Sequence, residues 1–223
     1  IIAFAYAEPQ ARYTWQDLKT TAKKDGAGYV INGHKAVVIG APYATHLIVT
    51  ARTGGGQRDA QGVSVFIVPK SAKGVTTRDY PTVDGFRASE VTFENVALGA
   101  DALIGSEGAA LPLVEKVIDE AIVATCAEAC GVFRRLHEGT LEYTKQRKQF
   151  GQPISQFQVL QHRMVDIFIQ LEQSISMTYM ADIKLADSDH ERAKGASAAK
   201  VQIGKAAKFI GQNAIQLHGG MGM

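Results

Sequence analysis

From Leu111 to about Lys148 apolar residues recur at helical spacing: Val114, Val117, Ile118, Ala121, Ile122, Thr125, Ala129, Val132, Phe133 and Leu136. Pro112 falls in the first turn, where its missing N–H costs little. A helix of ~38 residues is ~57 Å long at ~1.5 Å per residue. That length demands a bundle of long helices rather than a compact globule. A second pattern runs from about Gln156 to Ala186, with Leu160, Met164, Ile167, Leu171, Ile175 and Met177 among its apolar positions. After the polar connection Asp187–His190, a third starts near Glu191 and continues to about Leu217, with mostly small inward side chains. Gly219-Gly220 ends it.

Nothing of helical length precedes residue 105. Ile1–Ala7 is a strand-like run that stops at Glu8-Pro9, and Leu18–Ala22 is followed by a turn at Lys23-Lys24-Asp25-Gly26. Tyr29-Val30-Ile31 meets Asn32-Gly33, a strong hairpin signal, with His34–Ile39 as the return strand. Leu47–Ala51 and Val63–Val68 flank the Gly-rich loop Thr53–Gly62, and Val75–Tyr80 and Ala88–Val96 complete the set. Turn signals recur about every 8–12 residues, as in a small sandwich or barrel. The expected fold class is therefore α+β: a small antiparallel β-barrel or sandwich over 1–105, then a long-helix bundle over 106–223.

Between the first two helical patterns lies the turn Phe150-Gly151-Gln152-Pro153. Gly accepts positive φ and Pro cannot continue a helix. Lys145, Arg147 and Lys148 precede the turn, where cations suit a helix C-terminus, and Ser155 with Gln158 has capping-box spacing. One reading is a helix–helix connection. The other rests on the mixture of a guanidinium, a planar aromatic and the amides Gln156 and Gln158, which suits a ligand with both phosphate and a flat ring system.

The run R-K-Q-F-G-x-P-I-x-x-F-Q, from Arg147 to Gln158, resembles the signature of the acyl-CoA dehydrogenase family. Two other blocks agree, in the family's order. Glu8-Pro9, Ala11, Thr20-Thr21-Ala22 and Gly28-Tyr29-Val30-Ile31-Asn32-Gly33-His34-Lys35 match its middle β-domain, and A-I-Q-L-H-G-G-M-G around Gln216 matches A-x-Q-x-x-G-G-x-G. The resemblance implies FAD and removal of an α-proton and a β-hydride from an acyl-CoA, as in fatty acid metabolism. It implies flavin-ring contacts at Tyr6 and Ala7 through backbone groups and at Val37, Val38 and Ile39. It also implies cofactor contacts at Arg147, Phe150, Phe157, Gln216, Gly219 and Gly220, the last two motifs being supplied by a neighbouring subunit. The implied partners are an electron-transfer flavoprotein and a second subunit, in a homo-oligomer (dimer or tetramer) or a hetero-oligomer with a related chain.

The chain departs from the family pattern at instructive places. Arg12-Tyr13-Thr14 stands where Gly-Ser-Asp is usual, and Val37 and Ile39 stand where Trp and Thr are usual. Val offers no aromatic face and Ile no hydroxyl. In some members a catalytic Glu lies on the first long helix, 26 positions before the signature Arg; here that position is Ala121, followed by Ile122. Glu120 is adjacent, but one residue is about 100° of helix rotation. No catalytic base is identified within this chain, which read alone is inactive. Ala121, Ile122 and Asp119, which matches a CoA-contacting position, are the candidate substrate-side residues. Two further readings stay open: a flavin oxidase on the same fold, and a catalytically weak FAD-binding or structural subunit that supports an active partner.

A net charge of +2 implies no nucleic-acid partner. No apolar run approaches the roughly 20 residues of a membrane span. Cys126 and Cys130 lie four apart on one helix face, in poor geometry for a disulfide, and a cytoplasmic location fits. No His spacing points to a metal. The strand-like start and Gly-rich end read as a fragment lacking an N-terminal helical domain and a last helix.

Overall fold

The computed structural model describes all 223 residues and divides into two compact units, Ile1–Glu115 and Lys116–Met223. The first is built on one sheet with strand order β6-β7-β3-β2-β4-β5-β8. Its strands are β1 (Ile2–Ala5), β2 (Thr21–Asp25), β3 (Gly28–Ile39), β4 (His46–Arg52), β5 (Val63–Pro69), β6 (Val75–Pro81), β7 (Arg87–Leu98) and β8 (Leu103–Ile104). Most pairings are antiparallel; β1 instead runs parallel to β4, with Ala3 opposite Leu47. Alternating side chains of β3, β4, β5 and β7 make the core around Ile31, Leu47, Val49, Phe66, Val91 and Phe93. A smaller cluster of Leu18, Val63 and Leu111, with Trp15 against it, anchors the start of the first helix.

Two local expectations are corrected. Asn32-Gly33 does not turn the chain, because β3 runs straight through it as one twelve-residue strand. The register against β7 is irregular there, and a Cβ on Gly33 would lie 2.4–2.6 Å from atoms of Thr20. The glycine is thus demanded by a close neighbour across the sheet, not by a hairpin. The turn sits at Gly26-Ala27, and Lys23-Lys24-Asp25 belong to β2.

The second unit packs α1 (Leu111–Gln146), α2 (Gln158–Lys184) and α3 (Asp189–His218) around Cys126, Phe133, Met164, Ile167, Leu171, Ile203 and Ile210. Ala196, Ala199 and Ala206 on α3 are fully buried, so small side chains let α2 come close. Ser188 caps α3 by accepting from the Glu191 N–H, and Lys184 pairs with both Asp187 and Glu191 across the connection. Both cysteines are free thiols; Cys126 is in the core. No helix is long and apolar enough to cross a membrane.

The loop between β4 and β5 is organised by one cation. Buried Arg52 donates through Nη1 to the carbonyls of Asp59 (2.9 Å) and Gln61 (2.7 Å), and through Nη2 to Gln57 (3.0 Å) and Gln16 (2.5 Å). Only a planar fork reaches four acceptors so arranged. Arg52→Lys is expected to lower the unfolding free energy of this unit by about 2 kcal/mol, with faster proteolysis in 53–62, in denaturant titration and limited digestion.

Candidate functional site

The signature residues of the helical unit are gathered by the ends of α1 and α3. After Gln146 the chain forms a small hairpin, Lys148–Gln149 (β9) against Gln152–Pro153 (β10), followed by a single 3-10 turn at Ile154–Gln156. Phe150 and Gly151 at its tip have φ of 55° and 82°, the two positive values that a tight hairpin turn needs. This corrects the expected capping box: Phe157 is the N-cap residue of α2 and no side chain caps it. Ser155 instead uses its carbonyl, which accepts from Gln161 Nε2 at 2.9 Å. Phe150 is 91% exposed, a bulky aromatic held in left-handed backbone and touched edge-on by Phe157 at 6.1 Å. The hairpin turn imposes this backbone on a residue type that seldom adopts it.

Behind the hairpin lies a pocket of about 360 Å³, lined by Tyr143, Arg147, Gln149, Gln216, Gly219 and Gly220 among others. The Ile154 N–H donates to the Arg147 carbonyl at 2.8 Å and fixes the strand end, while the exposed guanidinium is in no ion pair. Gly219 closes α3 with φ 60°, its N–H donating to the Gln216 carbonyl. A Cβ on Gly220 would meet nothing within 4 Å, so no contact within the chain requires glycine there. An unpaired guanidinium, an amide and an open glycine turn in one pocket fit a diphosphate.

Tyr143 and His218 were missed in the sequence. Their rings stack at 4.4 Å, the Tyr143 hydroxyl donates to the His218 carbonyl (3.3 Å), and His218 Nδ1–H donates to the Ala214 carbonyl (2.8 Å). The available signal was spacing: Tyr143 is one helical turn before Arg147, and His218 adjoins the glycine pair.

In the sheet unit Tyr6 and Ala7 follow β1 and are half-buried; burial pushes the Tyr6 phenol above its ordinary range. Tyr6 packs edge-on against Trp15 at 5.5 Å. Val37 and Ile39 are 52% and 62% exposed on one face of β3, but the Val38 side chain is in the core and only its backbone is available. Beneath them lies a pair missed in the sequence, although both residues belonged to the matched motifs. Lys35 is completely buried, and its Nζ donates to Glu8 Oε1 (2.7 Å) and Thr50 Oγ1 (2.9 Å). Glu8 also accepts from Gln10 Nε2 (2.8 Å) and the Lys19 N–H (2.7 Å). Burial pushes the Lys35 ammonium down to about 8, against the pull of Glu8. Burial pushes the Glu8 carboxyl up, but Lys35 and the donated hydrogen bonds outweigh it and hold the group below its ordinary value. Period-two spacing from Ile31 aims Lys35 inward, and an inward charge in a strand calls for a partner.

The substrate-side candidates lie along α1 and are not brought together. Ala121 is exposed, and Ile122 packs on the helical core. Asp119 is engaged: buried Arg192 on α3 donates from Nε to Asp119 Oδ2 at 3.0 Å and from Nη1 to Asp189 Oδ1 at 2.5 Å. Glu120 is exposed and lines a groove with Thr178, Tyr179 and Asp182 of α2.

Comparison with known proteins agrees with this architecture. The description "Acyl-CoA dehydrogenase, middle domain" matches residues 3–96, and "Acyl-CoA dehydrogenase, C-terminal domain" matches 111–223. Probable acyl-CoA dehydrogenase YngJ of Bacillus subtilis is 33% identical over 99% of this chain and 58% of its own length. The 3-(aryl)acrylate reductase of Clostridium sporogenes is 30% identical over 99% of this chain and 59% of its own. The structure of PigA with FAD and proline superposes at TM-score 0.92 with 32% identity, covering 100% of this chain and 58% of that one. The fold is thus the one these relatives share over the matched span, a sheet domain followed by long helices. The chain belongs to the acyl-CoA dehydrogenase family, and it spans under two thirds of the length of these relatives.

The Asp119–Arg192 pair joins α1 to the start of α3, so it acts first on stability. Asp119→Asn leaves a buried guanidinium short of a carboxylate and is expected to cost about 2 kcal/mol in chemical denaturation.

Proposed function

We propose that this chain is the FAD-handling part of a flavin-dependent dehydrogenase that introduces an α,β double bond into an acyl-CoA thioester. The observation that carries the proposal is the pocket joining Arg147, Gln216, Gly219 and Gly220 in a member of this family. Arg147 neutralises the diphosphate through charge-assisted hydrogen bonds, and the glycine turn lets its oxygens approach main-chain groups. By family analogy this pocket serves the cofactor carried by a second subunit, so the working protein is an oligomer. Phe150, raised on its hairpin, and Phe157 add apolar surface for the same ligand. In the sheet unit the Tyr6 and Ala7 backbone and the aliphatic Val37 and Ile39 meet the ring system. The chemistry FAD supplies is acceptance of the hydride that leaves the substrate's β-carbon. Reoxidation by an electron-transfer flavoprotein and a cytoplasmic setting belong to the same reading.

The α-proton needs a base, and Ala121 cannot provide one. Glu120 is turned toward α2 and is assigned no catalytic part. The similarity to a 3-(aryl)acrylate reductase favours one second reading, in which the same site runs in the reducing direction on an unsaturated acid derivative. Steady-state assay in both directions separates the two.

Two measurements test the proposal on the full-length protein. Calorimetry should detect FAD binding, and Arg147→Ala should weaken it by about tenfold or more; unchanged affinity rejects the assignment. In single-turnover flavin reduction by acyl-CoA, Glu120→Gln should stay within about threefold of wild type, whereas removing a general base costs about 10²-fold or more.

A further inference from the structure

Lys35 is completely buried, and two residues further along the same strand Val37 adopts φ 52°. Left-handed backbone is strongly disfavoured for a β-branched side chain. Lys35 is opposite Val91 and Val38 opposite Ser89, so Ala36 and Val37 share the single residue Glu90 as a bulge. Tyr29, Ile31 and Lys35 point inward before the bulge; an unbroken strand would continue with Val37 and Ile39 inside. The bulge reverses the phase, so Val38 enters the core and both aliphatics face out.

The same segment grips the chain after β1. The Ala36 N–H donates to the Ala7 carbonyl (2.9 Å), and Lys35 Nζ reaches the Tyr6 carbonyl (3.4 Å) as well as Glu8. Glu8 accepts from the Thr20 N–H (3.2 Å) and the Lys19 N–H, so one buried ammonium gathers residues 6–8, 19–20 and Thr50. The groups so fixed are two peptide units and two aliphatic side chains. That is a surface with polar edges and an apolar face, matched to a flat heteroaromatic ring.

We infer that Lys35 and Glu8 are the positioning pair of the flavin-ring surface, locking the Tyr6–Ala7 main chain beside the Val37 bulge so that both meet the isoalloxazine as one unit. This rests on the FAD reading above. The pair touches no reacting atom; it acts through the backbone it holds.

The test uses the full-length holoprotein and compares FAD with ADP, which has the diphosphate but no flavin ring. The variant Glu8→Gln/Lys35→Met removes both charges together, so neither is left buried alone. It should keep the wild-type circular dichroism spectrum, bind FAD about tenfold more weakly, bind ADP as wild type does, and blur the fine structure of the flavin absorption band. Thr50→Val, which deletes only the third partner of Lys35, should weaken FAD by about threefold, again sparing ADP; it decides the matter should the double variant not fold. FAD affinity and spectrum unchanged in a folded variant overturn the inference. An equal loss for FAD and ADP overturns it too, since the pair would then support the whole structure and not the ring surface. Wild-type protein that binds ADP but not FAD rejects the flavin reading itself, and this inference with it.

Discussion

A lysine ammonium with no exposed surface can exist only where the fold supplies acceptors. In the sheet unit that requirement shapes the surrounding chain. Lys35 draws Glu8 out of the connection after β1, and Glu8 in turn draws in the amides of Lys19 and Thr20. The result joins three separate stretches of the sheet unit through one buried ammonium and its carboxylate. Replacing such a pair by hydrophobic groups is often neutral for stability. Here the pair ties β3 to the chain after β1, and the second of the two irregularities between β3 and β7 follows directly, between Lys35 and Val38.

The helical unit solves a related problem differently. Three long helices are assembled by periodic apolar side chains and by small residues on α3, and their ends carry the polar groups. Arg147 at the end of α1 and Gln216 near the end of α3 converge because the helices are long enough to bring their ends to the same pocket. Arg192 links α1 and α3 near the opposite end of α3 through Asp119. One buried cation therefore holds a helix pair, while an exposed one is left available for a ligand.

The long helices were legible in the sequence because their signal is repeated over many turns: α1 ends within two residues of its expected limit, and α3 starts two residues before its own. Signals carried by two or three residues were read less well. Asn32-Gly33 has the composition of a hairpin turn, yet the glycine answers to Thr20, which no local pattern reveals. Ser155 and Gln158 have capping-box spacing, but the 3-10 turn at Ile154 takes Ser155 out of position. The pocket of Arg147, Gln216 and the glycine pair was readable as separate motifs. Its stacked Tyr143–His218 wall was not, since it depends on two helix ends meeting. Asp119 shows the reverse case: its place in a motif pointed to a ligand, and its nearest partner is a buried arginine that only the packing discloses.

The loop held by Arg52 has a consequence for how this chain can change. Every acceptor used by the guanidinium is a main-chain carbonyl, at Gln16, Gln57, Asp59 and Gln61. A carbonyl is present whatever the amino acid, so the anchor recognises the path of the loop and is blind to much of its spelling. Side chains at Gln16 and Gln61 are free to drift under mutation while the arch keeps its shape. A fixed arch with interchangeable side chains is a place where relatives can diverge in surface character, and where a label or a new recognition sequence can be installed without disturbing the sheet beneath.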